Sequence, residues 1–88
     1  MIEKGVKKMR QRIYLETMKD IETFVNNVSM VPEDVFIEDG LGSRVTAKSL
    51  MFTATAKMYW AELYVTCEKD IYMSVKDFIV DYNTDNKD

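Results

Sequence analysis

The stretch VFIEDGLGSRVTAKSLM, residues 35–51, decides the fold of this chain. Its first four residues, 35–38, are mostly β-branched and aromatic and predict a short strand. Asp39 and Gly40 follow directly, with Gly42 close behind, and glycine adopts the positive φ angles that tight hairpin turns require. The stretch therefore predicts that the chain reverses direction here and returns as a second, antiparallel strand.

The second half of the same stretch predicts a strand followed by a helix. Residues 44–48 alternate between polar and small apolar side chains, so Val45 and Ala47 are expected to face inward. Ser49 is a favourable residue for the N-cap of a helix, because its hydroxyl accepts a hydrogen bond from the first turn. We predict a two-turn helix from Ser49 to about Ala56.

Upstream of the hairpin, the pattern changes from that of a strand to that of a helix. Residues 10–16 alternate and predict a half-buried strand, whose inward side chains would be Met9, Ile13 and Leu15. Thr17 is a suitable N-cap, and Asp20 lies at the position from which a capping box is completed. Four apolar residues then share one helical face: Ile21, Phe24, Val25 and Val28. Pro32 ends this helix, since the residue before proline disfavours the α conformation.

Downstream of residue 60, another strand and another helix are predicted. Residues 61–66 alternate, which places Ala61, Leu63 and Val65 on one side. A last helix would present Ile71, Val75, Phe78 and Ile79 on one face. We expect the core to comprise Ile21, Phe24, Val25, Val28, Val45, Leu63, Val65, Val75, Phe78 and Ile79.

The elements follow the order βαββαβα and predict an α+β fold. Strands with one apolar face indicate a sheet with helices on one side and water on the other. We expect a basic N-terminal leader over residues 1–9, one domain over 10–82 and a polar tail over 83–88.

The net charge limits the kinds of partner that the chain is expected to bind. The net charge is −3, whereas a nucleic-acid-binding protein needs a basic face, so we expect no nucleic-acid partner. Five of the twelve basic residues nevertheless lie in the first twelve positions: Lys4, Lys7, Lys8, Arg10 and Arg12. We interpret them as a solvated leader, with a basic docking arm as the alternative.

The chain contains no histidine and a single cysteine, Cys67. It therefore lacks the commonest metal ligand and general base, and we predict no catalytic residues, no metal and no cofactor. A lone cysteine excludes an internal disulfide and fits a reducing compartment. No apolar run approaches the ~18 residues that span a bilayer, so we expect a cytoplasmic protein with no membrane partner.

The segment Val45-Thr46-Ala47-Lys48-Ser49-Leu50-Met51, together with the element order, resembles HPr, the phosphocarrier of the bacterial sugar phosphotransferase system. The HPr family has valine or a similar residue here, then Ala-Lys-Ser and a hydrophobic pair, and Phe24-Val25 lies at a similar distance upstream. The resemblance extends from about Arg10 to Asp81. It implies an open-faced β-sandwich, in which three helices cover one face of a four-stranded antiparallel sheet.

The chain departs from the family at the site of phosphotransfer. HPr carries Leu-His-Ala-Arg-Pro where the first strand meets the first helix, and this chain has Glu16-Thr17-Met18-Lys19-Asp20. Thr17 stands at the position of the phosphohistidine and Lys19 at that of the arginine. A threonine phosphoester lacks the transfer potential of phosphohistidine, and the neighbouring carboxylates would repel phosphate. The resemblance thus implies a histidine-less relative that is not a phosphocarrier.

Ser49 aligns with the serine that HPr kinase phosphorylates in many Gram-positive bacteria. A phosphate there would be stabilised by free N–H groups and the helix dipole, whereas the alternative is that Ser49 serves only as a helix cap. Next to it, the resemblance implies a partner-binding surface formed by Lys48, Leu50, Met51 and Phe52. The family usually has glycine in place of Phe52, and Met51 is equally well explained by core packing.

Two functions remain after these observations. The first is a regulatory or protein-interaction domain of the catabolite-regulation type, switched at Ser49, with HPr kinase and a transcriptional regulator as expected partners. The second is a structural or interaction module that kept the fold and neither phosphorylation role.

Other candidate chemistry is weak. The paired carboxylates Glu33-Asp34, Glu38-Asp39 and Glu68 with Asp70 lie at predicted turns or element ends, where solvated acids are expected. The aromatic residues Tyr59, Trp60 and Tyr64 are expected to pack in the core or on the sheet, with an aromatic contact surface as the alternative.

Overall fold

The structure, a computed structural model, describes residues 8–80 of the chain. Alternating apolar residues form four strands: β1 (Met9–Ile13), β2 (Val35–Glu38), β3 (Arg44–Thr46) and β4 (Leu63–Cys67). The helices are α1 (Met18–Ser29), α2 (Leu50–Tyr59) and a short α3 (Tyr72–Val75) that continues into a 3₁₀ turn at Lys76–Phe78. The strands form one antiparallel sheet in the order β1-β4-β2-β3. The predicted α+β class and βαββαβα order are confirmed.

The sheet has one buried face and one open face. Val35 and Ile37 of β2 are fully buried, while the residues between and after them, Phe36 and Glu38, are only partly buried. The same alternation runs through β4, where Val65 is fully buried. Because every second side chain points to the same face, the helices and the core lie on one side, and the other side faces water.

Helix α1 forms as its sequence pattern predicts. The Thr17 hydroxyl accepts a hydrogen bond from Asp20 N at 3.1 Å, and the Asp20 carboxylate accepts one from Thr17 N at 3.2 Å, which completes the capping box. All four predicted residues of the apolar face are buried: Ile21, Phe24, Val25 and Val28. The Phe24 ring meets the Phe78 ring edge to face, with 5.7 Å between centroids, and so joins α1 to the C-terminal part of the core.

The hairpin between β2 and β3 is confirmed at its turn. Gly40 and Gly42 have φ angles of +83° and +112°, which residues other than glycine rarely adopt. The Asp39 carboxylate accepts hydrogen bonds from Leu41 N at 2.7 Å and Ser43 N at 3.0 Å. The Asp39 side chain therefore stabilises the loop through hydrogen bonds to the loop's own backbone.

The prediction of a two-turn α2 was too short, because the helix extends over ten residues, Leu50–Tyr59. Its second half contains Ala56, Lys57 and Met58, which are good helix formers. Thr53 is fully buried in the helix, and its hydroxyl donates to the Ala47 carbonyl at 3.4 Å.

The predicted last helix was also wrong in its second half. Ile79 has extended backbone angles and forms an antiparallel bridge with Ile13. Tyr14 N donates to the Phe78 carbonyl, and Val80 N donates to the Arg12 carbonyl, each at 2.9 Å. β1 is an edge strand whose outer backbone groups need partners, and residues 78–80 supply them where a longer helix would not.

One core joins the sheet to the helices. It comprises Met9, Ile13, Leu15, Ile21, Phe24, Val25, Val28, Val35, Ile37, Ala47, Ala56, Leu63, Val65, Cys67, Ile71, Val75 and Phe78. Val45 and Ile79, which were predicted in the core, are partly buried and pack against it.

The predicted leader and tail lie mostly outside the described residues, but the end of the leader belongs to β1. β1 begins at Met9, which is buried and pairs with Cys67, although residues 1–9 were predicted as the leader. Residues 1–7 of that leader, residues 81–82 of the predicted domain and the predicted tail, residues 83–88, lie outside the described residues. Among residues 8–80, no helix is both long enough and apolar enough to span a membrane.

Candidate interaction site

The N-terminus of α1, where the phosphohistidine of HPr would lie, is closed by an internal carboxylate. Asp20 accepts hydrogen bonds from Glu16 N at 3.0 Å and from Thr17 N. The Thr17 N–H, at the N-cap, is one of the groups that would otherwise bind an anion at this end of the helix, and the Asp20 carboxylate adds a negative charge there. Thr17 and Lys19 are both exposed, but the Thr17 hydroxyl is engaged in the cap. This end of the helix is therefore poorly suited to phosphate.

The N-terminus of α2 is built differently. Ser49 is its N-cap, and the Ser49 Oγ accepts a hydrogen bond from Phe52 N at 3.1 Å. The first turn of α2 contains no acidic residue. The positive end of the helix dipole therefore acts on Ser49 without a carboxylate that neutralises it.

Lys48 precedes Ser49 but is directed elsewhere. Its Nζ donates a hydrogen bond to the carbonyl of Val31, just beyond the end of α1, at 2.5 Å. The side chain is partly buried, and its amide N–H donates to the Thr46 hydroxyl at 3.2 Å. Lys48 therefore connects the start of α2 to the end of α1, and its ammonium group is directed to the Val31 carbonyl and away from Ser49.

The side chains after Ser49 form an apolar surface on α2. Leu50, Met51 and Phe52 are 41%, 73% and 50% exposed. Two further residues near the end of the helix, Met58 and Tyr59, are about three-quarters exposed. We call this set of five residues the α2 surface. An apolar surface of this kind on an isolated domain is typical of a protein-protein contact.

The α2 surface corrects two of the sequence interpretations. Met51 projects into solvent and does not pack in the core, and Tyr59 is exposed instead of packed. The sequence contained a signal for this, because α2 has only one charged residue, Lys57, in ten positions. A surface helix normally carries a charged face towards the solvent, so the apolar composition of α2 indicates that its outer face contacts another molecule.

The first turn of α2 also approaches α1. A groove of about 250 Å³ is lined by Glu22, Val25 and Asn26 of α1 and by Leu50 of α2. Leu50 therefore connects the α2 surface to the outer face of α1, about one turn beyond Lys19. Glu22 places a negative charge at the rim of this apolar area.

A second feature lies on the open face of the sheet and was not predicted from the sequence. Glu38 of β2 lies between two arginines, with its carboxylate 3.5 Å from Arg10 Nε and 3.8 Å from Arg44 Nε. The Arg10 guanidinium also lies over the Tyr64 ring, 4.2 Å from its centroid, and that of Arg44 lies over Phe36 at 3.8 Å. We call these five residues the sheet surface.

The sheet surface corrects the interpretation of Glu38 as a solvated carboxylate at a turn. Its side chain is only 27% exposed, and Oε2 accepts a hydrogen bond from the Thr66 hydroxyl at 3.3 Å. Tyr64 lies on this face as well, and its hydroxyl donates to Glu62 at 2.6 Å. That hydrogen bond raises the pKa of Tyr64, with burial and the negative charge of Glu62 adding to it.

The structure also places the remaining candidates from the sequence. Over the described part of the chain, no group of three or more Cys, Asp or Glu side chains is placed to hold a metal ion. Cys67 is buried in the core. Trp60 packs partly against the core, as predicted.

Comparison with protein-family models, with curated proteins and with solved structures finds no match for this chain.

Proposed function

We propose that this chain is an HPr-like regulatory domain that acts by binding a protein partner in the cytoplasm and has no phosphocarrier or other enzymatic activity. Phosphorylation of Ser49 by an HPr kinase would switch it, and a transcriptional regulator is the expected partner. The observation that carries the proposal is the contrast between the two helix N-termini. That of α1 is closed by Asp20, whereas that of α2 has no acidic residue and adjoins an exposed apolar surface.

A phosphate on Ser49 would act on local charge and on the N-cap. Phosphoserine adds about −1.5 to −2 charges at neutral pH, and the N-terminus of a helix stabilises such a group. The Phe52 N–H, which donates to Ser49 Oγ, would then donate to a phosphate oxygen. The α2 surface would thereby gain an anionic edge next to its apolar residues. A partner surface that is apolar with a basic rim fits this combination.

The alternative, an interaction module without phosphorylation, is favoured by the contacts of Lys48. The charge nearest to Ser49 in the sequence is directed to the Val31 carbonyl, so it would have to leave that contact to neutralise a phosphate. In this alternative, the α2 surface binds its partner constitutively, and Ser49 contributes only a helix cap worth about 1 kcal/mol.

Intact-mass measurement separates the two functions. The purified protein is incubated with HPr kinase and ATP, and the proposal expects the addition of one phosphate in the wild type and none in Ser49→Ala. Thr17→Ala is the matched control, because it removes the equivalent cap hydroxyl from α1 and should still be phosphorylated. No addition to the wild type would exclude the switch and leave the interaction module.

A further inference from the structure

Methionine is usually a buried residue, but most of the methionines that the structure describes are exposed. The sequence contains seven methionines. Within residues 8–80, one of them, Met9, is buried in the core, and five have exposed side chains: Met18, Met30, Met51, Met58 and Met73. Met51 and Met58 belong to the α2 surface. Met30 and Met73 line one groove elsewhere, which has no role in the proposed function.

This groove lies between the end of α1 and the start of α3, and we call it the methionine groove. Its volume is about 520 Å³, and it is lined by residues 30–33 and 69–74, none of which belongs to α2. Met30 and Met73 are 84% and 75% exposed, and Tyr72 is half exposed. Unbranched, polarisable methionine side chains adapt to the shape of an apolar partner, so such a lining suits a segment of another protein.

Glu33 gives the methionine groove an acceptor that lacks a donor. Its Oε1 atom is buried and has no hydrogen-bond partner among residues 8–80. Its Oε2 atom lies 3.7 Å from Lys69 Nζ, which is longer than a good hydrogen bond. A buried carboxylate oxygen without a donor costs free energy, which a ligand with a suitable donor would recover. The Glu33 side chain is 34% exposed, so its carboxylate can turn towards a donor in the groove.

The other charged groups at the groove favour a cation as its ligand. Asp70 Oδ1 accepts a hydrogen bond from Tyr72 N at 3.0 Å, and Lys69 is the single cation among the lining residues. The Lys48 ammonium donates to the Val31 carbonyl but does not line the groove. The lining thus contains two carboxylates and one ammonium group, and its excess charge has the same sign as the net charge of the chain, −3.

Among cationic side chains, arginine matches the groove best. A guanidinium carries five N–H donors in a planar fork that fits a carboxylate, and it also stacks on aromatic rings. The groove offers both partners, the Glu33 carboxylate and the half-exposed Tyr72 ring. A lysine ammonium lacks the fork. Apolar side chains on either side of the arginine would contact Met30 and Met73.

From this geometry, we infer that the methionine groove is a second protein-binding site, for a segment of a partner protein that carries an arginine between apolar residues. The arginine pairs with Glu33, and its apolar neighbours pack on Met30 and Met73. The groove shares no lining residue with the α2 surface, so the inference does not depend on the switch at Ser49.

The test uses the full chain with ¹³C-labelled methionine methyl groups, because methionines mark both surfaces. The probe is a synthetic peptide with Leu-Ser-Arg-Ser-Leu at its centre, whose leucines and arginine share one edge when it is extended. We expect the peptide to shift the methyl resonances of Met30 and Met73 and to leave those of Met51 and Met58 unchanged. The same peptide with citrulline, the uncharged analogue of arginine, should bind about tenfold more weakly, because a charge-assisted hydrogen bond is lost.

Variants assign the binding energy to the groove. Glu33→Gln should weaken the peptide about tenfold, whereas Glu22→Gln, which removes an equal charge from an exposed position on α1, should have no effect. Lys69→Gln should tighten binding, because it removes the cation that competes for Glu33. Met73→Ala should weaken binding several-fold through lost apolar contact, and Met51→Ala should not. The methyl spectra show that each variant is folded.

Several results would overturn the inference. Shifts confined to Met51 and Met58 would assign the peptide to the α2 surface. Equal affinity for the arginine and citrulline peptides would exclude the pairing with Glu33. Equal weakening by Glu22→Gln and Glu33→Gln would indicate nonspecific charge. Absence of methyl shifts in both the wild type and Lys69→Gln would refute the site as well.

Discussion

Replacing Phe24 with alanine removes the residue that connects α1 to the C-terminal part of the core. The ring is fully buried and contacts Phe78 edge to face. Truncation of a buried phenylalanine to alanine costs about 3–5 kcal/mol, because burial is lost and a cavity remains. At about 0.05–0.15 kcal/mol per residue, an 88-residue chain has a stability of roughly 4–13 kcal/mol. The variant should therefore lose between a quarter and nearly all of its stability.

The effect is measured by urea and thermal unfolding. For a domain of this size, each 1 kcal/mol lowers Tm by about 4–8 °C, so Phe24→Ala should lower it by at least about 12 °C. The urea midpoint should fall while the slope stays constant, since the area exposed on unfolding hardly changes.

Two variants make the measurement specific to the core. Phe24→Leu keeps most of the buried apolar volume and should cost clearly less than the alanine variant. Phe52→Ala removes the same ring from a half-exposed position on the α2 surface and should change stability by at most about 0.5 kcal/mol. An unchanged Tm for Phe24→Ala, or equal losses at positions 24 and 52, would refute the assignment of the α1 face.

Two further predictions concern chemistry and pH. Incubated with phosphoenolpyruvate, Enzyme I and a sugar-specific acceptor, the chain should acquire no acid-labile phosphate, because it has no histidine; label on this chain would contradict that. Hydrogen bonds from the N–H groups of Leu41 and Ser43 lower the pKa of Asp39. The ionised Asp39 carboxylate therefore stabilises the folded state at pH values above the ordinary carboxyl pKa of about 4, and this stabilisation is lost as the pH falls through the lower folded-state pKa. Asp39→Asn should therefore show a shallower fall of Tm in that acid range, and an unchanged slope would argue against this role.

Local patterns were sufficient for the start and the apolar face of α1 and for the turn between β2 and β3. The capping box of Thr17 and Asp20 and the apolar face of α1 depend on residues within one turn of each other. The turn at Gly40 and Gly42 is likewise local, since glycine is the residue that tolerates those φ angles. These predictions were confirmed because their physical causes lie within a few neighbouring residues.

The last helix was predicted wrongly because a distant element decides the structure there, whereas α2 was predicted too short although the residues that extend it are local. The spacing of Ile71, Val75, Phe78 and Ile79 fits a helix, but Ile79 pairs with Ile13 because the edge of β1 lacks partners. That edge is evident only when the strand order is known.

The sheet surface was missed for the same reason. Arg10 and Arg44 are far apart in the sequence, and only the arrangement of the four strands brings both to Glu38. The candidate residues at Ser49 were accessible to sequence reasoning because they are contiguous. The extension of the α2 surface to Met58 and Tyr59 required knowledge of which helix face the core covers.

The pairing of residues 78–80 with β1 has a consequence for the kinetics of folding. Ile13 and Ile79 lie near opposite ends of the described chain, so this contact closes a loop of nearly its whole length. Closing such a loop costs entropy before any contact compensates it, and folds rich in such pairings fold more slowly than helical bundles of equal size. The hairpin of β2 and β3 closes only a short loop. We therefore expect it to form early, and β1 to join the sheet late, together with the C-terminal segment that covers its edge.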